Sequence, residues 1–263
     1  MTKKPTRRGG KFIYALSPVS DDWHHRITGI NKSPVYRIGY GKIGAVVSDI
    51  FSPKVRPDRR NLSAHQAVLK QLNEAGTVLP MRFGMIAASA DATRTLLAIN
   101  EGAITEQLAR VAGKVEMGLR LKWGVGNIFE HFVCSHPRLR EERDRICQEN
   151  RASKRDEKIA LGKLFESLLE EQRAAHHATV ERCLKESCYE IRSNPVRNEY
   201  EIISLACLID RAEQSAFEEG VFEASTLFSN DYIFDYTGPW APHNFVDLDL
   251  DSSEQRQREK EAV

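Results

Sequence analysis

A chain of 263 residues, 41% hydrophobic and 29% charged, has the composition of a folded protein with a large charged surface, and its length allows two ordinary domains. Its 38 basic and 37 acidic residues leave a formal net charge of +1, which gives no overall electrostatic drive toward nucleic acid, and no apolar run approaches the roughly 18 residues needed to cross a bilayer. The five cysteines are odd in number and lack CxxC spacing, so reduced thiols used mostly for packing are expected.

The chain opens on a basic leader, residues 1–11, with Lys3, Lys4, Arg7, Arg8 and Lys11, expected to be disordered and solvated. It lacks the apolar centre of a secretory signal, so the protein is expected to stay in the cytoplasm. Residues 12–16 are rich in β-formers and closed by Ser17-Pro18, which predicts a first strand. A loop through Trp23, His24 and His25 leads to residues 34–38 and 45–50, a hairpin or meander. Between them Gly39, Gly41 and Gly44 spell GxGxxG. A dinucleotide site needs a helix after those glycines, whereas β-branched residues follow here, so a tight turn is the better reading.

Asn61 or Ser63 is placed to cap a helix running to about Glu74, with His65, Val68, Leu69 and Leu72 at helical spacing on its buried side. Residues 77–84, Thr-Val-Leu-Pro-Met-Arg-Phe-Gly, read as an inner strand. Pro80 can donate no ladder hydrogen bond, and Arg82 requires either a wet strand face or, if buried, a carboxylate or capping partner. A helical region from Ser89 or Asp91 to Val111, broken near Asn100 to Gly102, completes an α+β unit over residues 12–112.

From Lys114 the period becomes two, giving a half-buried strand to Trp123 that Gly124 and Gly126 end. Residues 138–158 carry mixed charge and predict an exposed helix or arm. From Ile159 an amphipathic stripe follows through Leu161, Leu164, Phe165, Leu168 and Leu169, weakening toward Leu184. His176 and His177 point to different faces, a poor metal clamp, and are expected on the surface. Strands at 188–192, 202–208 and 232–236, with a helix at about 210–224, complete a β-α-β-β-α-β order. That order predicts a ferredoxin-like domain over 113–236 whose first crossover holds a helical insertion at about 127–186. The tail, 237–263, begins with Pro239, Trp240, Pro242 and Phe245, and an extended segment docked on the body or on a partner is expected.

Several of these pieces together resemble the gas vesicle protein family GvpF/GvpL: Gly44-Ala45-Val46-Val47-Ser48, His65 with Val68-Leu69, the 77–84 stretch, the Lys114-Val115-Glu116 strand, and Asp235-Tyr236-Thr237-Gly238-Pro239-Trp240-Ala241-Pro242-His243-Asn244-Phe245. They keep the family's order over most of residues 12–246. The resemblance implies an α+β protein of two domains, the second of modified ferredoxin-like type. It also implies a nonenzymatic accessory and minor structural component of the gas vesicle. Such a protein would bind the hydrophobic shell protein GvpA and other gas vesicle proteins and limit aggregation while a vesicle nucleates. The charged stretch 127–158 departs from the simplest family pattern.

No catalytic residue, cofactor, metal, nucleic acid or membrane is expected. The surfaces best suited to a partner are the stripe Leu161, Leu164, Phe165 and Leu168, the aromatic tail with Trp240 and Phe245, and any open sheet edge; internal packing is the competing use of each. Two other readings compete with this one. An enzyme built on His65, Arg82 and an acidic partner has no GxSxG, Walker or HExxH motif behind it. An RNA platform needs exposed aromatic and basic residues on the central strands, and Ile202 to Leu208 supplies neither.

Overall fold

The structure, a computed structural model, describes residues 10–19, 26–148 and 154–250. The expectations for residues 1–9, for Trp23, His24 and His25, and for the chain beyond Leu250 lie outside these. The chain divides into two compact units, one from residues 1–116 with 239–263 and the other from 117–238.

In the first unit β1 (Gly10–Pro18) is the inner strand of a mixed-length antiparallel sheet, with β3 (Ile43–Ile50) on one side and β2 (Val35–Tyr40) beyond it. The GxGxxG glycines form the hairpin between β2 and β3. Gly41 begins its two-residue loop with φ of +55°, a conformation glycine adopts without steric cost. A bulge between Ile13 and Ala15 adds one residue to β1 and resets which side chains face which way. Phe12, Tyr14 and Ala15 join Val46, Ile50, Val68, Leu69 and Leu72 in one core, while Ile13 and Leu16 join Ala45, Val47, Leu97, Ile104 and Leu108 in the other. The sheet is therefore buried on both faces. α1 (Arg59–Ala75) covers the first, and α2 (Ala90–Ile99) and α3 (Glu101–Arg110) cover the second.

Local chemistry sets the helix ends. α1 is capped by Asp58, whose side chain accepts from the Asn61 N–H at 2.8 Å, ahead of the Asn61 or Ser63 cap expected from sequence. Ser89 caps α2 by accepting from Ala92 N–H at 3.0 Å, and the chain breaks at Asn100 as anticipated.

The expected 77–84 strand is interrupted. β4 (Leu79–Pro80) and β5 (Ile86–Ala87) both pair with β1, but the register shifts from Ala15 opposite Pro80 to Phe12 opposite Ile86. Met81 N–H still donates to the Tyr14 carbonyl at 2.8 Å and Ile13 N–H to Met85 at 2.9 Å, and between these bonds the chain loops out through Arg82, Phe83 and Gly84. Gly84 has φ of +94°. Arg82 is exposed on this turn, so it is not a buried arginine in need of a carboxylate.

The second unit carries a four-stranded sheet ordered β7 (Glu190–Ser193), β8 (Glu201–Asp210), β6 (Lys114–Trp123) and β9 (Tyr232–Trp240). The strands that come first and third in the chain lie at the centre and the second and fourth at the edges, as in a split βαβ arrangement. Between β6 and β7 come α4 (Ile128–Ser135), α5 (Pro137–Gln148) and α6 (Lys154–Leu184), and between β8 and β9 comes α7 (Gln214–Thr226). The charged stretch is thus not a bare exposed arm. Leu139 and Ile146 of α5 are buried, and α4, which the sequence reading did not separate, buries Ile128, Phe132 and Val133. The mixed α+β fold expected from sequence is the one observed.

At the heart of the first unit the Tyr14 hydroxyl lies 2.8 Å from Ser48 Oγ and accepts from Ile30 N–H at 2.8 Å. Gly29 makes this possible, because a β-carbon there would stand 2.2 Å from the Tyr14 oxygen and 2.9 Å from Val35. Its φ of −100° is ordinary, so space and not backbone strain is the constraint. Gly29→Ala is expected to lower stability in urea unfolding by about 2 kcal/mol or more, through overpacking and loss of the Tyr14 bonds. Retention of the wild-type midpoint would show that the 27–30 segment yields freely.

Candidate interaction surfaces

The segment after β9 is held by the first unit's own polar groups. Glu116, only 6% exposed, accepts from the Asn244 backbone N–H at 2.8 Å and from Asn244 Nδ2 at 2.7 Å. Burial pushes the Glu116 carboxyl above its ordinary range, and these two bonds pull the other way. Farther along, Arg110 donates to the Phe245 carbonyl at 3.3 Å and pairs with Asp247 at 3.1 Å, while Gln107 accepts from Asp247 N–H at 3.2 Å. Ala241 and Phe245 enter the core. The tail is therefore not simply extended: β9 continues to Trp240 and a 3-10 turn spans His243–Phe245. Phe245, expected as a partner contact, is fully buried and presents no surface; Trp240 is 43% exposed.

Trp240 sits on a groove of about 470 Å³ between α1 and this segment, walled by Leu69, Lys70, Pro239 and Ala241, with Glu116 and Asn244 also lining it. A second, wider groove of about 870 Å³ runs between the Arg82 turn and residues 246–250 and carries Arg82, Asp247 and Asp249.

His65 faces the interior from α1 and is 2% exposed. It stacks on Tyr14 at 5.6 Å and meets Phe12 and Phe83 edge-on at 5.6 and 5.5 Å. Its Nδ1 has no hydrogen-bond partner. Burial above all, then the nearby His243, lowers its pKa to about 4 against a smaller opposing pull from the Met81 backbone, so the ring is neutral at pH 7. Neither groove joins His65 to Arg82. The pair on which an enzymatic reading depended is split between a packed interior and an exposed turn.

In the second unit Leu161, Leu164, Phe165 and Leu168 of α6 are half-buried, and Leu169 is buried. Phe165 packs edge-on at 5.4 Å against both Phe129 and Phe132 of α4, so part of the stripe serves the unit itself. Just ahead of it Ile159 remains 48% exposed. His176, expected on the surface, is half-buried: it shares a 3.0 Å hydrogen bond with the Tyr232 hydroxyl and packs among Trp123, Phe228 and Tyr232. Burial lowers its pKa. Its position seven residues after Leu169 was the available signal. His177 bonds Ser193 Oγ at 2.7 Å. Residues Ile202 to Leu208 of β8 are all buried, which leaves no stacking surface for bases on that strand.

None of the five cysteines is in a disulfide. Only Cys207 is buried, whereas Cys134 and Cys147 are exposed, contrary to a general packing role. Among the described residues no group of three His, Cys, Asp or Glu is placed to hold a metal, and no helix is long and apolar enough to cross a membrane.

The model of the family described as gas vesicle synthesis protein GvpL/GvpF matches residues 10–247. Gas vesicle protein F of Streptomyces sp. is 27% identical over 81% of this chain and 88% of its own. Gas vesicle protein L1 of Halobacterium salinarum is 28% identical, covering 92% of each. The crystal structure of GvpF from Anabaena sp. superposes with a TM-score of 0.81 over 92% of this chain and 99% of that one, at 24% identity, and so shares the fold.

Two consequences follow from the buried groups. Between pH 6.5 and about 4 the unfolded chain takes up a proton at His65 that the folded chain resists, so stability falls as the pH drops through that window, by about 3 kcal/mol at its lower end. Above pH 6.5 the His65 contribution is flat. Urea unfolding of His65→Phe at pH 7 and 4.5 should show a shallower loss than wild type; equal losses would place the acid sensitivity elsewhere. Asn244→Ala is expected to cost about 1–3 kcal/mol at pH 7 by leaving the Glu116 carboxylate under-bonded. That cost should shrink on acidification as Glu116 takes up a proton.

Proposed function

The chain belongs to the GvpL/GvpF family and has a role in gas vesicle formation, and from that premise we propose that it is an accessory and minor structural protein of the vesicle that binds GvpA and other gas vesicle proteins. Binding limits GvpA aggregation while the vesicle nucleates. No step of this work requires bond chemistry, in keeping with a family of structural and accessory proteins.

The observation that carries this reading is the placement of Trp240. Its ring is 43% exposed beside an apolar groove, while Ala241 and Phe245 just after it are buried and Asn244 is fixed to Glu116. A large amphipathic side chain on a backbone that is already ordered loses little entropy on docking, which is the profile of an interface anchor. In the second unit the half-buried Leu161, Leu164, Phe165 and Leu168, with Ile159 beyond them, offer a second apolar surface to the same kind of partner. Covering the apolar surface of an aggregation-prone shell protein with a charged, folded body keeps that protein dispersed.

Immobilised GvpA is expected to retain the purified chain, and a stoichiometric amount of the chain should delay the rise in light scattering of GvpA diluted from denaturant. Trp240→Ala should weaken retention about tenfold or more at an unchanged thermal midpoint. Failure of the wild-type chain to bind GvpA, or full binding by Trp240→Ala combined with Leu161→Lys, would remove the proposal or its surface respectively.

A further inference from the structure

Each unit leaves a phenylalanine in water amid charges of a single sign, and the two signs are opposite. In the first unit Phe51 is 72% exposed at the start of the loop between β3 and α1, and Lys54, Arg56, Arg59 and Arg60 of that stretch are exposed with it. None of these four cations has an ion pair among the described residues, because the stretch's one acid, Asp58, is engaged in the α1 cap. The loop is nonetheless ordered: Asn61 Nδ2 donates to the Arg56 carbonyl at 3.0 Å, Ser52 Oγ donates to the Lys54 carbonyl at 2.8 Å, and Val55 packs on the core. Arg59 and Arg60 stand in the first turn of α1, which holds no acidic residue, so their charge adds to the positive end of the helix.

In the second unit α7 buries Phe217, Gly220, Val221 and Ala224. Gly220 lets the helix sit close on the end of α6, since a β-carbon there would stand 3.1 Å from the Cys183 carbonyl oxygen. That seating turns Glu218, Glu219, Phe222 and Glu223 outward, and all four are exposed, Phe222 by 72%. The three carboxylates have no ion pair among the described residues. The last turn of α7 holds no basic residue, so Glu223 adds to the negative end of its helix.

We propose that these surfaces are the two halves of one contact between copies of this chain: the Phe51 loop of one molecule docks on the outer face of α7 of the next. Charge complementarity selects that occupant. Each patch gathers like charges around an apolar ring and against its own helix dipole, so it repels a second patch of its own kind and is relieved by the other. The guanidinium groups of Arg59 and Arg60 suit the carboxylates of Glu219 and Glu223, and an arginine also stacks favourably on the face of Phe222. Because each molecule uses a different surface on either side, the contact is heterologous and runs head to tail, not confined to a dimer. A patch of this size held largely by exposed charge associates weakly and loses strength in salt. The proposal stands apart from GvpA binding, which uses neither surface.

Sedimentation velocity of the full chain under reducing conditions tests this. At low ionic strength the weight-average mass is expected to rise with concentration over about 5–200 μM, and to return to that of the monomer in about 1 M salt. One variant, Phe51→Ser with Arg59→Gln and Arg60→Gln, lacks the loop half; another, Phe222→Ser with Glu219→Gln and Glu223→Gln, lacks the α7 half. Each alone should stay monomeric at an unchanged thermal midpoint. Mixed in equal amounts they retain one intact loop and one intact α7 face between them, and should form a dimer that grows no further. A wild-type chain that stays monomeric at low salt would leave each patch to a different partner and overturn the proposal. So would association of either variant alone at wild-type strength, or a mixture that stays monomeric. Should a triple variant fail to fold, Phe51→Ser and Phe222→Ser singly decide the question, since each is expected to weaken association about fivefold or more.

Discussion

A carboxylate placed inside a protein must be paid for, and at Glu116 the compensation comes from a residue 128 positions later in the chain. Asn244 supplies a backbone and a side-chain donor together, which fixes both carboxylate oxygens and leaves little freedom for the segment that carries them. Ala241 and Phe245 on either side of Asn244 then drop into the interior, and Leu250 reaches the core on the sheet's second face. The first unit is thus built from both ends of the chain. Its sheet residues come from the first 87 positions, and its closing contacts come from beyond position 238. This also accounts for the run from Gly238 to Phe245 in physical terms. Gly238 adopts φ of +134°, Pro242 sits at the start of the 3-10 turn, Asn244 forks onto Glu116, and Phe245 fills the core.

The break in the 77–84 stretch belongs to the same economy of space. Pro80 brings no N–H to the ladder, so pairing with β1 resumes only at Met81. The chain then leaves the sheet for a short turn, and Phe83 packs over Phe12 and His65 at 5.4 and 5.5 Å. A straight strand would have placed Arg82 and Phe83 on opposite faces of a sheet buried on both sides. The turn sends the arginine to solvent and the phenylalanine to the aromatic cluster. His65 tolerates that cluster because it is neutral.

What could be read from sequence follows from the range of the interactions involved. The hairpin at Gly41, the break at Asn100, the alternation of β6 and the β-α-β-β-α-β order are encoded by neighbours a few residues apart, and the structure reproduces them. The failures are residues whose partners are remote. His176 looked like half of a surface pair, but its burial depends on Tyr232, 56 positions away. Phe245 is apolar and its neighbours in sequence give no sign of the Glu116 fork that carries it inward. α4 was lost because an eight-residue, largely apolar helix gives too few turns for a period to emerge. Of the expected contact residues, Trp240 keeps substantial exposure, the α6 stripe is shared with α4, and Phe245 is internal.

The edge strand β9 bears on how an apolar partner is met. It ends its sheet and exposes Ile233 and Tyr236, an arrangement that invites another strand to pair along it. Three features work against unrestricted pairing. Asp235 places a charge in the middle of the strand and engages Lys122 at 3.2 Å; Gly238 bends the backbone with its positive φ; Pro239 removes a donor near the end. A protein that must handle an aggregation-prone neighbour gains from such an edge, because continuous backbone pairing would make it a template for the aggregation it is proposed to limit. The side-chain docking proposed for Trp240 would carry no such hazard. Asn244, four residues on, is already held by Glu116, and a contact confined to the groove beside Trp240 would leave backbone pairing out of the proposed encounter.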